Sequence, residues 1–185
     1  MVKETIFIYT GYSESRFTGQ DYQQTKVRGS EISAIMVAEQ LVLLGYIVYV
    51  FCDSSHPDHE LTHNGVKYIY IKKMQYYMDS LEVDTLIVLR FIHVFIEFEI
   101  KAKKTIFWLH DSCFNFIWNG KTLTSNGISF VNNIHSLFDK VVLLSDYHQY
   151  NCKILYKVPS HKYEIIGNGI NTCLYKNKPE KQSFT

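Results

Sequence analysis

VRGSEISAIMVAEQLVLLGYIVYVF, residues 27–51, is the stretch whose reading decides the fold. It holds a glycine loop, an apolar helix, a turn and a strand. Across residues 32–44 only Ser33, Glu39 and Gln40 interrupt the apolar side chains. A helix with so narrow a polar strip is expected to be covered on most sides. Gly45 supplies the residue that ends such a helix. Ile47-Val48-Tyr49-Val50-Phe51 follows without a polar break, the pattern of a parallel strand buried on both faces. Ahead of the helix, Gly29 lets the backbone approach a ligand closely. Ser30 is placed to cap the first turn, where free N–H groups favour an anion. A Gly-Ser pair also serves where a loop merely ends, and the local sequence leaves both readings open.

Upstream, Thr5-Ile6-Phe7-Ile8-Tyr9 reads as a first strand. The polar segment 11–28 between strand and helix is long for a connection in a compact domain, and such loops are functional or mobile. Strand, glycine loop, helix, strand opens a nucleotide-binding type of α/β fold. The G-x-G-x-x-G fingerprint is missing, since Gly11 and Gly29 stand far apart, so a dinucleotide cofactor is not supported. Downstream, strands are expected at 66–71, 84–89 (ending at Arg90), 104–109, 139–144 and 162–166. Helices are expected at 72–82, 92–103, 127–138 and 146–156, the last capped by Ser145. About seven strands with helices between most of them predict a Rossmann-like, doubly wound, mainly parallel α/β sheet.

Composition narrows the function. The 185 residues suit one domain, and a hydrophobic share of 46% supports a sizeable core. A formal charge of +1 gives no basic field for nucleic acid. Cys52, Cys113, Cys152 and Cys173 form no C-x-x-C pair and no disulfide framework. A reduced, cytoplasmic setting is the expectation, with no secretory leader and no apolar run long enough to span a membrane.

Two places carry candidate chemistry. His59-Glu60-Leu61-Thr62-His63 matches H-E-x-x-H, which on a helix sets two imidazoles on one face for zinc, with the glutamate as base. Pro57 and Asn64-Gly65 bracket it too closely for a helix anchored in a core. The expected structure there is a polar surface loop, with a zinc hydrolase kept as a rival. His110-Asp111 ends an expected buried strand, and ligands bind at that edge of open α/β sheets. A capping aspartate and a surface histidine account for the pair equally well.

Several pieces in one order resemble a known family. The Gly29-Ser30-Glu31 loop leads into a helix and "LLGYIVYVF". "FWLHD" ends a later strand, and "KVVLLSDYHQYNCKILYKVPSHKYEIIGNGIN" follows. Together they resemble the N-terminal domain of a GT-B class, retaining glycosyltransferase of the glycosyltransferase 4 type. The resemblance covers most of the chain and least of residues 52–83. Where the family often writes Gly-Gly, this chain has Arg28-Gly29.

The resemblance implies an N-terminal, acceptor-side domain over 1–175 and the start of an interdomain linker at 176–185. A donor-binding second domain, with a basic pair and an E-x7-E motif, would lie beyond it. The implied activity is transfer of a sugar from a nucleotide-sugar to an acceptor hydroxyl, with neither metal nor other cofactor expected. Gly29, Ser30 and Glu31 would lie near donor phosphates and acceptor. His110 would reach the sugar or acceptor region with Asp111 beside it. Ser145 would face the cleft, and Asn168-Gly169 would hand the chain onward. The chain alone is expected to bind donor weakly and to turn over little, because a nucleotide-sugar buried between two domains needs both walls. A non-catalytic module that binds a sugar, nucleotide or protein partner is the other alternative.

Overall fold

The computed structural model describes residues 3–13, 16–21, 27–111, 117–118, 121–122 and 124–169. Eight strands form one sheet in the order β10-β9-β6-β5-β1-β2-β4-β3. They are β1 (Thr5–Gly11), β2 (Ile47–Cys52), β3 (Leu61–His63), β4 (Val66–Tyr70), β5 (Thr85–Leu89), β6 (Lys104–Trp108), β9 (Lys140–Leu143) and β10 (Tyr163–Ile165). A two-stranded ribbon, β7 (Ile117–Trp118) with β8 (Lys121–Thr122), stands apart. The helices are α1 (Gly29–Leu43), α2 (Met74–Ser80), α3 (Val94–Glu97), α4 (Thr124–Ile134) and α5 (Asp146–Leu155). All neighbours in the main sheet pair in parallel except β3 with β4. The architecture is therefore Rossmann-like α/β, as expected.

The strand order reverses at β1. From β1 the chain moves outward to β2 and β4, then returns to β5 and runs on to β6, β9 and β10. Right-handed crossovers on the two arms must lie on opposite faces. Side chains of β1 show the division. Ile6 and Ile8 join Ala34, Ile35 and Ala38 of α1. Phe7 and Tyr9 join Met74 and Met78 of α2, Val94 of α3, Val131 of α4 and Cys152 of α5.

Four expectations need correction. Helix α1 is not covered on most sides. Only Glu31, Ala34, Ile35 and Ala38 are buried, while Leu43 and Leu44 are 77% and 75% exposed. The other described helices pack on the opposite face, so nothing in them covers the outer side of α1. The helix expected at 92–103 shrinks to the four residues of α3, because Phe98 turns extended. The loop expected around residues 59–63 contains strand β3, which turns at Asn64-Gly65 to pair antiparallel with β4. Both turn residues have positive φ, 47° and 79°, as a tight hairpin favours. The sheet thus has one strand more than the seven expected.

The long segment after β1 is tied down where it is described. Phe17 is fully buried, and its N–H donates to the Asp53 carbonyl at 3.0 Å. The Asp21 carboxylate accepts from the Thr18 N–H, the Thr18 hydroxyl and the Ser55 hydroxyl, at 2.7, 2.8 and 2.8 Å. Burial raises the affinity of this carboxyl for its proton, but those donors outweigh it and hold its pKa below the usual range.

Candidate functional site

The reversal at β1 opens a crevice between the carboxyl ends of β1 and β5, the place where open α/β sheets receive ligands. Gly11 ends β1 there with φ +73°. A Cβ at this position would overlap the Phe91 ring, so the first residues after β5 press against the end of β1.

Arg90 follows β5 with φ +59°, an uncommon conformation for a residue with a side chain. Its guanidinium ties the crevice together. Nε donates to Asp111 Oδ2 at 2.7 Å and Nη1 donates to Ser30 Oγ at 3.3 Å. The Ser30 hydroxyl in turn donates to Glu31 Oε2 at 2.9 Å. Arg90 and Asp111 side chains are 18% and 32% exposed, so water screens this pair only in part. The two sequence-expected segments, Gly29-Ser30-Glu31 and His110-Asp111, therefore meet at one edge through a residue that was not among the candidates.

Details at the start of α1 differ from expectation. Arg28 is the N-cap, without a side-chain cap bond, and Gly29 is already helical. Ser30 therefore lies two residues past the capping position, and its hydroxyl serves Arg90 and Glu31. Glu31 is 4% exposed in the first turn, where a carboxylate suits the helix dipole. A Cβ on Gly29 would meet nothing within 4 Å. Packing does not demand glycine there, and the backbone faces open space.

His110 sits between opposing influences. Burial lowers its pKa most; Asp111 and Glu31 pull upward, while Arg90 and His148 push downward. The net result is a neutral imidazole at neutral pH. Its ring packs on Trp108 at 4.6 Å between centroids.

Ser145 caps α5, with Oγ accepting from the His148 N–H at 3.2 Å, as expected. Replacing Ser145 with alanine is expected to cost about 1 kcal/mol, measurable by urea denaturation. Asn168 and Gly169 are exposed beyond β10. That strand lies three positions from β5, or about 14 Å at the usual strand spacing.

The H-E-x-x-H segment is not helical. His63 lies in β3, the His59 ring packs on His56 at 5.1 Å, and Glu60 accepts from the Tyr77 hydroxyl at 3.0 Å. The helical spacing behind the zinc reading is absent, and among the described residues no group of three or more His, Cys, Asp or Glu is placed to hold a metal ion. No helix among the described residues is long and apolar enough to cross a membrane.

A second polar group lies under the other side of the crevice. The hydroxyl of buried Tyr9 meets His93 Nε2 at 3.1 Å and Glu97 Oε2 at 3.5 Å. Burial lowers the His93 pKa from 6.5 to about 4. The unfolded chain therefore binds more protons than the native one between those values, and stability falls as pH drops through that window. We expect a loss of about 2 kcal/mol between about pH 7.5 and about pH 5 from this residue. Burial of His110 acts in the same direction. Urea denaturation of a His93→Gln variant should show a flatter pH profile. An unchanged slope would exclude His93 as its source.

A surface cavity of about 380 Å³ opens at the opposite edge, lined by Phe95, Phe98, Ile100, Leu137, Thr105 and Asp139 among others. It lies at the amino ends of β6 and β9, away from the Arg90 cluster, and reaches Phe98, whose ring packs on Tyr9 at 6.0 Å between centroids. In comparison with known proteins, no family model matches the chain and no curated protein matches its sequence.

Proposed function

We propose that this chain is the acceptor-side half of a GT-B type glycosyltransferase, moving a sugar from a nucleotide-sugar to an acceptor hydroxyl with retention of configuration. The observation that carries the reading is the Arg90 bridge. It joins the start of α1 to the end of β6 at the point where strand order reverses. The resemblance in sequence independently selects the same two segments.

In this reading the free N–H groups of the first turn of α1 and the Arg90 guanidinium stabilise charge on the leaving diphosphate. The bond from the sugar's anomeric carbon to the diphosphate oxygen breaks, and the electron pair leaves with the phosphate. The acceptor oxygen bonds to that carbon on the same face, and its proton passes to the departing phosphate oxygen. His110, neutral, hydrogen-bonds a sugar or acceptor hydroxyl. Asp111 and Ser30 hold the guanidinium in place.

The test mixes the chain, and the longest natural protein containing it, with uridine, guanosine and adenosine diphosphate hexoses. Binding and sugar consumption are followed by NMR and by release of nucleoside diphosphate. The reading expects one donor to be bound and consumed, and His110→Ala to abolish turnover. A protein that binds and consumes none of them overturns it.

A further inference from the structure

Helix α5 presents apolar side chains on the face turned away from the sheet. His148 and Cys152 are its buried residues. On the opposite face Tyr147, Tyr150 and Ile154 are 75%, 63% and 64% exposed. Their spacing of three and then four residues sets them in one row along the helix. A surface helix ordinarily turns polar residues to water, and no described residue covers this row. Tyrosine is enriched where proteins meet, because its ring is apolar while its hydroxyl stays wet. Helix α5 packs against β9 and the edge strand β10. There Ile165, and Ile166 just past the strand, are exposed as well and extend the apolar surface at this end of the sheet.

The charges beside the row select what covers it. Asp146 and Lys153 are both exposed and flank the row on the same side, about two turns or roughly 10 Å apart. Tyr150 lies near the midpoint between them. Against a second α5 running antiparallel, Asp146 of one helix comes level with Lys153 of the other. Tyr150 then meets Tyr150, and Tyr147 lies against Ile154. The same short stretch is thus complementary to itself, as a two-fold interface requires. A parallel pair would bring each charge level with its own copy and align the two helix dipoles, which repel. The formal charge of +1 on each chain leaves little net repulsion between copies.

We propose that a second copy of this chain docks on the outer face of α5, with the two helices antiparallel about a two-fold axis at Tyr150. Two helix faces alone bury less than the roughly 1,200 Å² of a standard stable interface, so the association is weak, with a dissociation constant of roughly 10–500 µM. This proposal does not depend on the glycosyl-transfer reading.

Sedimentation equilibrium of the 185-residue chain over a concentration series tests it, with circular dichroism confirming the fold of each variant. The wild-type chain is expected to pass from monomer to dimer. Tyr150→Glu sets two carboxylates on the axis and is expected to weaken association about tenfold or more. Asp146→Lys alone, or Lys153→Asp alone, brings like charges together and is expected to weaken it about fivefold to tenfold. The double exchange restores opposite charges across the contact and should return association close to wild type. Each exchange opposes the dipole of its own helix, so recovery in the double variant cannot come from a more stable helix. A chain that stays monomeric at every concentration overturns the proposal. A dimer that Tyr150→Glu leaves intact also overturns it, as does a folded double variant that associates no better than the single ones. Dimerisation seen only after residues 170–185 are removed assigns the face to that segment and overturns a second copy as its occupant.

Discussion

Gly11→Ala is expected to destabilise the protein by about 2–5 kcal/mol, combining the strain of a side chain at positive φ with overpacking. The residue has φ +73°, and the added methyl would overlap the Phe91 ring. Phe91 is 5% exposed and belongs to the core, so it has little room to retreat. Chemical denaturation of Gly11→Ala, Phe91→Ala and the double variant separates the causes. Phe91→Ala alone is expected to cost about 3–5 kcal/mol through the cavity it leaves. In the double variant the overlap is gone, so the combined loss should fall short of the sum by more than about 1 kcal/mol. Strict additivity would show that Gly11 and Phe91 do not press on each other. If Gly11→Ala fails to express, recovery of soluble protein on adding Phe91→Ala answers the same question.

Arg90 offers the second large effect, and two substitutions divide it. Arg90→Ala takes the guanidinium from Asp111 and Ser30 and is expected to cost about 1–3 kcal/mol in stability. Arg90→Gly removes the same charge but relieves the positive φ of 59°, so it should be more stable than the alanine variant by about 1 kcal/mol. Under the proposed function both should lose nucleotide-sugar binding equally, by tenfold or more, because each would lack the charge-assisted contact assigned to the guanidinium. Arg90→Lys keeps a charge without the planar fork that reaches Asp111 and Ser30 together, and should recover only part of the loss. Wild-type affinity in Arg90→Gly would remove the guanidinium from the ligand site. Equal stability of the alanine and glycine variants would show that the backbone at this position stores no strain.

The first two strands and α1 were legible because their signals are local. Unbroken runs such as Ile6-Phe7-Ile8-Tyr9 and Val48-Tyr49-Val50-Phe51 suit only a strand buried on both faces. Gly45, at φ +99°, ends the helix between them as the sequence indicates. Ser145 was legible for the same reason, since a cap and its helix are neighbours in the chain. Segments with weaker local signals misled. Residues 92–103 mix Phe, Val and Ile without settling on a period, and their structure is mostly irregular. Leu61-Thr62-His63 is too short to announce a strand, and it forms one because β4 offers it a partner.

The site divides along the same line. A charged residue ending a buried strand singles out His110-Asp111, and that criterion applies equally to Arg90 after β5. What makes Arg90 the centre is contact with Ser30, 60 residues away, and with Asp111, 21 residues away. Strand order brings those three together, and order depends on where each crossover falls, which no local pattern of side chains records. The amino-acid sequence by itself determined the kind of sheet and the glycine, serine, glutamate, histidine and aspartate at its carboxyl edge, because periodicity and strand-end chemistry are written in consecutive residues. Only the tertiary structure decided that α1 is exposed on its outer side, that H-E-x-x-H lies partly in a hairpin strand, and that one arginine joins the crevice, because these depend on partners distant in the chain.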